Sequence, residues 1–265
     1  MRTFAIWPVL LLAMAGTANS QTGNRPKELA VDLGGGVKLE MVLIPAGEFM
    51  MGSPDSDKDT HANEKPQHRV RITKPFYLGK YLVTQEQWQA VTGNPRGTVK
   101  GPKNPVESVS WDDCQEFLKR LHEKVGERRF QLPTEAQWEY ACRAGSTTRY
   151  YFGDKESELG EYAWYRKNSK TTSHPVGEKK PNAWGLYDMY GNVWEWCADR
   201  YGEEYYTHSP TDEPAGPEEG AGRVVRGGSW DAPATRCRSA RRSPFNPRRG
   251  DYLLGLRVVL VPVEK

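Results

Sequence analysis

No stretch beyond the first twenty residues approaches the roughly 18 consecutive apolar residues that a membrane-spanning helix needs. Charge of one sign is also missing. Lys and Arg number 37 and Asp and Glu 34, for a net +3 over 265 residues. A near-balanced chain gives no case for nucleic acid or for an acidic membrane surface as partner. Cysteine is scarce, at Cys114, Cys142, Cys197 and Cys237. None of the four stands in a C-x-x-C, which argues against a zinc ribbon or a thioredoxin-type site. The five His form no H-E-x-x-H and no close pair, so each reads as a loop or surface residue. Gly34-Gly35-Gly36 lacks the strand–loop–helix setting of a phosphate loop. Ser229 lacks a nucleophile elbow and reads first as a turn residue. There is no internal repeat and no low-complexity tract.

What is abundant is unusual in combination. There are 26 Gly and 19 Pro beside 9 Trp and 13 Tyr. Many Gly and Pro mean many turns; many large rings mean that irregular segments can still be anchored in a core. The chain opens like a secretory leader. Arg2 precedes an apolar run from Phe4 to Ala15, and Ala18-Asn19-Ser20 fits a small-residue cleavage site. Residues 1–20 are therefore expected to be a signal peptide, with cleavage near Ser20-Gln21 and a secreted or periplasmic product. Losing Arg2 leaves a mature charge near +2, and no membrane span is expected after cleavage. About 245 residues remain, enough for one large domain. Four cysteines in an exported chain are candidates for disulfides.

Three helices carry start signals. Thr84 to Gln87 and Thr134 to Gln137 have the capping-box pattern, and Ser110 precedes apolar positions Cys114, Phe117, Leu118, Leu121 and Val125 at helical spacing. Val37 to Phe49 reads as strand after the Gly34–Gly36 turn. Strand pairs are expected around Lys74-Pro75, and further strands over 223–225 and 256–261. Residues 21–39 read as leader and first strand, and 40–262 as the main domain. The run from Gly185 to Trp196 combines Gly, Asp, Asn, Glu and Trp in a way that suits a loop turning oxygens onto a hard cation while its rings anchor it. Six Arg between 236 and 249 are read as ion-pairing partners of the acidic 203–219 loop, or else as a grip for an anionic ligand.

Seven motifs in order resemble the sulfatase-modifying-factor family, which includes the formylglycine-generating enzyme. They are Ile44-Pro45-Ala46-Gly47-Glu48-Phe49-Met50-Met51-Gly52-Ser53, Val83-Thr84-x-x-x-Trp88, Pro105-Val106-x-x-Val109-Ser110-Trp111, Leu132-Pro133-Thr134-Glu135-x-x-Trp138-Glu139-Tyr140, Gly191-Asn192-Val193-Trp194-Glu195-Trp196, Arg226-Gly227-Gly228-Ser229-Trp230 and Gly255-Leu256-Arg257. The resemblance implies an α+β fold, a loop-rich variant of the C-type lectin fold with little regular structure. It implies calcium at Asp188, Gly191, Val193 and Glu195. By resemblance to bacterial relatives it also implies a disulfide between Cys197 and Cys237. The family's best-known activity oxidises a Cys in a Cys-x-Pro-x-Arg motif to an aldehyde, using copper held by two Cys spaced five apart. Here only Cys237 follows the Gly-Gly-Ser turn closely, so copper is not expected. The resemblance also places Ser229, Trp230 and Arg257 at the cleft. It leaves three classes of function: the oxidase, a tailoring enzyme of the siderophore-maturation type, or a calcium-stabilised binding module. A protein or peptide is the expected substrate or partner.

Overall fold

The structure, a computed structural model, describes residues 25–126 and 129–262. The expected signal peptide and the start of the mature chain lie outside the described residues.

The Gly34–Gly36 turn joins β1 (Glu28–Asp32) to β2 (Lys38–Ile44) as an antiparallel hairpin. The extended run then breaks at Pro45-Ala46, and β3 (Gly47–Met51) leaves for another sheet. Proline has no N–H for a central ladder, so the single strand expected over 37–49 becomes two. β3 pairs with β4 (His68–Ile72), while β5 (Phe76–Gly79) returns to β2. The strands flanking Lys74-Pro75 therefore do not pair with each other. Both are extended, but they serve different sheets.

The three capped helices form where the sequence places them. They are α1 (Gln85–Thr92), α2 (Trp111–Val125) and α3 (Glu135–Arg143). Each has a reciprocal capping box, closed by Thr84 with Gln87, Ser110 with Asp113, and Thr134 with Gln137. β6 (Arg129–Gln131) and the short α4 (Leu159–Tyr162) follow, then β7 (Trp194–Arg200), β8 (Arg223–Arg226), β9 (Arg242–Phe245), β10 (Leu254–Gly255) and β11 (Val259–Val261). One sheet has the order β1-β2-β5-β11-β6 and a second β10-β7-β8-β9, in which β10 and β7 are parallel. Long connections between short strands make the fold α+β and loop-rich.

Helix α3 packs against the β3–β4 pair and against β7 and β8, and all nine of its residues are buried. It carries Glu135 and Glu139 into the interior, so each needs a buried cation. Arg242 meets Glu135 through Nε at 2.7 Å and Nη2 at 2.8 Å. Arg226 meets Glu139, which also accepts from Arg143 Nε at 2.9 Å. Arg238 grips Glu64 with two bonds of 2.8 Å. The arginines of the 236–249 run that turn inward thus pair with Glu64 and Glu135, not with the 203–219 loop as expected. That loop instead sends Asp212 to Arg71 and Glu213 to the Thr73 backbone.

Asp199 is a buried carboxyl with no ion-pair partner among the described residues. Its Oδ2 accepts the Glu135 N–H at 2.8 Å, and burial, with Glu135 nearby, pushes it up to about 8. Over the window from its ordinary 3.8 to about 8, the unfolded chain releases this proton and the folded chain keeps it. Stability therefore falls as pH rises through that window, by up to about 1.4 kcal/mol per unit, and levels off above it. Asp199→Asn holds the neutral form at every pH and is expected to flatten this slope. Melting curves across the window check it; an unchanged slope would show that Asp199 is ionised throughout.

Candidate functional site

The loop 185–195, the turn 226–230 and the segment 164–177 are tied into one unit. Gly191 N donates to Gly227 O at 2.9 Å, Asn192 N to Trp164 O at 2.7 Å, and Trp230 N to Asn192 O at 2.8 Å. The Asn192 side chain clasps the His174 backbone, accepting its N–H at 3.2 Å and donating to its carbonyl at 3.0 Å. Gly191 has φ +73, and a Cβ there would lie 2.1 Å from Trp164 O. Only glycine allows this approach. Asp188 and Asn192 also take positive φ, which their short polar side chains tolerate.

Asp188 is buried, and its Oδ2 accepts Gly177 N–H at 2.8 Å. Oδ1 is buried with no partner. Burial raises this carboxyl to about 6; Glu195 adds to the rise, while Gly177 and Arg257 oppose it. Glu195 is buried as well. Its Oε2 accepts Trp138 Nε1 at 2.9 Å and Arg257 Nε at 3.0 Å, and its Oε1 accepts Arg257 Nη2 at 3.0 Å. A carboxylate has about four lone-pair sites, so Oε1 retains one. An orphaned carboxylate oxygen beside a second carboxylate fits a hard cation. Among the described residues no three His, Cys, Asp or Glu side chains gather as a metal-holding group. A cation here would need backbone carbonyls besides Asp188 and Glu195.

Arg257 differs from its expected place at a cleft. It is fully buried, and besides Glu195 it donates to the carbonyls of Gly79 at 2.9 Å, Lys80 at 3.1 Å and Tyr187 at 2.8 Å. Such a guanidinium has nothing left for a ligand. Ser229 is buried too, and its carbonyl accepts Ala232 N–H at 2.9 Å, as a turn residue would. Trp230 alone of these three is part-exposed, with its ring 5.8 Å from Tyr252.

The four cysteines are free and buried, so the expected Cys197–Cys237 bridge is not formed in this structure. Their surroundings differ. Cys197, on β7, lies near Asp199 and Glu135, whereas Cys237 lies by the backbones of Gly191 and Ser229. A Cβ at Gly228 would stand 2.6 Å from Cys237 Sγ, which places that thiol under the turn. Burial raises all four thiols, Cys142 and Cys237 to about 12.

The sequence model of the Sulfatase-modifying factor enzyme 1-like domain matches residues 37–261. The chain belongs to this family. It is 32% identical to the formylglycine-generating enzyme of Streptomyces coelicolor, over 82% of this chain and 87% of that protein. Among solved structures it is similar to Treponema denticola variable protein 1, with TM-score 0.81, 30% identity and coverage of 90% of this chain and 100% of that one. PvdO from Pseudomonas aeruginosa gives TM-score 0.79, 30% identity and coverage of 89% and 98%. The α+β sulfatase-modifying-factor fold expected from the motifs is the fold observed.

One feature had no signal in the sequence beyond a charged loop. A cavity of about 580 Å³ is lined by Ser53, Asp57, Asp59, Arg149, Asp154 and Arg238, among others. Arg143 and Arg238 on its wall are bonded to Glu139 and Glu64, whereas Arg149 donates through Nη1 to Asp59 at 2.8 Å and leaves Nε and Nη2 buried without a partner. Neither Ser229 nor Trp230 lines it.

Proposed function

We propose that this chain is an exported, calcium-stabilised binding member of its family, and that it does not form formylglycine by the copper route. The observation that carries this reading is the isolation of Cys237. Linear binding of Cu(I) needs two soft thiolates facing one another. Cys237 is free and buried under the Gly228 turn, no cysteine follows it in the sequence, and the one before it is 40 positions away at Cys197. Ser229 and Arg257 are buried and bonded within the protein, which leaves Trp230 to meet a partner. The surface offered is a face for a protein or peptide rather than a set of reacting groups. Function follows the site and not the fold.

Calcium would be held by Asp188 and Glu195 side chains with the Gly191 and Val193 carbonyls. It would supply charge to the unpartnered Asp188 oxygen and lock the loop against the turn. Export rests on the leader at 1–20; no helix among the described residues is long and apolar enough to cross a membrane. A second reading, a tailoring enzyme of the siderophore-maturation type, is supported by the likeness to PvdO over nearly the whole of both chains.

Mature protein, Cu(I), oxygen and reductant are to be incubated with a Cys-x-Pro-x-Arg peptide and followed by mass spectrometry. The thiol is expected to persist while a competent control enzyme converts it. Aldehyde on the peptide would refute the proposal.

A further inference from the structure

The segment 246–254 is fixed to the body of the domain at successive points. Pro247 O accepts Trp111 N–H at 2.9 Å, at the start of α2. Ser108 N donates to Asp251 O at 3.0 Å, and a Cβ on Gly250 would lie 2.5 Å from Ser108 O. Within the segment, Asn246 accepts from the backbones of Arg248 and Arg249, and Asp251 Oδ1 accepts Leu253 N–H at 2.8 Å. A backbone held this way presents its side chains with little freedom left to lose on binding.

Arg248 and Arg249 are exposed, and among the described residues neither guanidinium has an ion-pair partner. This separates them from Arg238, Arg241 and Arg242 of the same run, which turn to buried carboxylates. Asp251 is occupied by its own turn. Tyr252 is 49% exposed, one of two large hydrophobic residues that are exposed among those described. Its ring is tilted by 35° to that of Trp230, with the centroids 5.8 Å apart.

We infer that Trp230, Tyr252, Arg248 and Arg249 form a recognition rim for an extended peptide that carries acidic residues beside an aromatic or proline side chain. Arginine forks bind carboxylates bidentately, and paired rings take the apolar side chain. Aromatic and Arg anchors are the residues that dominate peptide and protein interfaces. This inference rests on the reading of the turn face as a binding surface.

The test uses the full mature chain and fluorescence anisotropy. Its probes are a labelled Glu-Tyr-Pro-rich peptide, the same peptide with Lys for Glu, and an anionic glycan of the heparin type. The acidic peptide is expected to bind, and the Lys peptide about tenfold or more weaker. Arg248→Glu with Arg249→Glu should lower binding of the acidic peptide by a similar factor and remove most of its salt dependence. Tyr252→Ala should weaken it about tenfold while the salt dependence remains. All three positions are exposed, so melting temperatures should not move; Arg248→Gln with Arg249→Gln guards against misfolding of the charge-reversed chain. Equal binding of both peptides, or binding unaffected by these changes, would overturn the rim while leaving the binding surface in place. Binding of the glycan alone would also overturn it. No binding of any probe would sink both the rim and the reading beneath it.

Discussion

Arg257→Ala is expected to destabilise the protein by about 3–5 kcal/mol, because it leaves Glu195 buried without its cation. In a domain of this size that lowers the melting temperature by about 6–20 °C. The size of the effect follows from what the side chain holds together. Its fork joins Glu195 on β7 to the carbonyls of Gly79, Lys80 and Tyr187. It thus links the five-stranded sheet to the four-stranded one through a single buried group. Arg257→Lys keeps the charge but not the fork, and should recover part of the loss. Thermal melts of the two variants measure this directly. A well-folded Arg257→Ala with normal stability would return Arg257 to the cleft.

The parts of this fold that were legible in the sequence are local. A capping box needs only four residues in a row, and Thr84, Ser110 and Thr134 each start the helix their neighbours announce. The Gly34–Gly36 hairpin is local in the same sense. Sheet membership is not. Nothing near Phe76 says that it pairs with Ile44, or that β3 and β4 form a sheet apart. Ion partners fail for the same reason. Glu64 and Arg238 are 174 positions apart, so the inward-turning arginines look no different in sequence from the exposed Arg248 and Arg249. The site was legible as a set of motifs. Which of its polar groups are free depends on three-dimensional bonding, and that moved Arg257 and Ser229 from the cleft into the scaffold.

The second large effect concerns calcium. A ligand that binds only the folded state stabilises by RT ln(1 + [L]/Kd), about 2.7 kcal/mol at a hundredfold excess over Kd. Calcium at that excess should raise the melting temperature by about 5–10 °C. Asp188→Gly should abolish the rise, since glycine tolerates the positive φ of this position but brings no oxygen. Asp188→Asn keeps an oxygen and loses the charge, so it should bind more weakly and not fail outright.

Metal content of the mature protein, measured after dialysis against a weak chelator, tests the central claim most directly. The account predicts one calcium per chain in the wild type, none in Asp188→Gly, and no copper retained in either. Copper held in stoichiometric amount, with two thiols protected from alkylation, would contradict it.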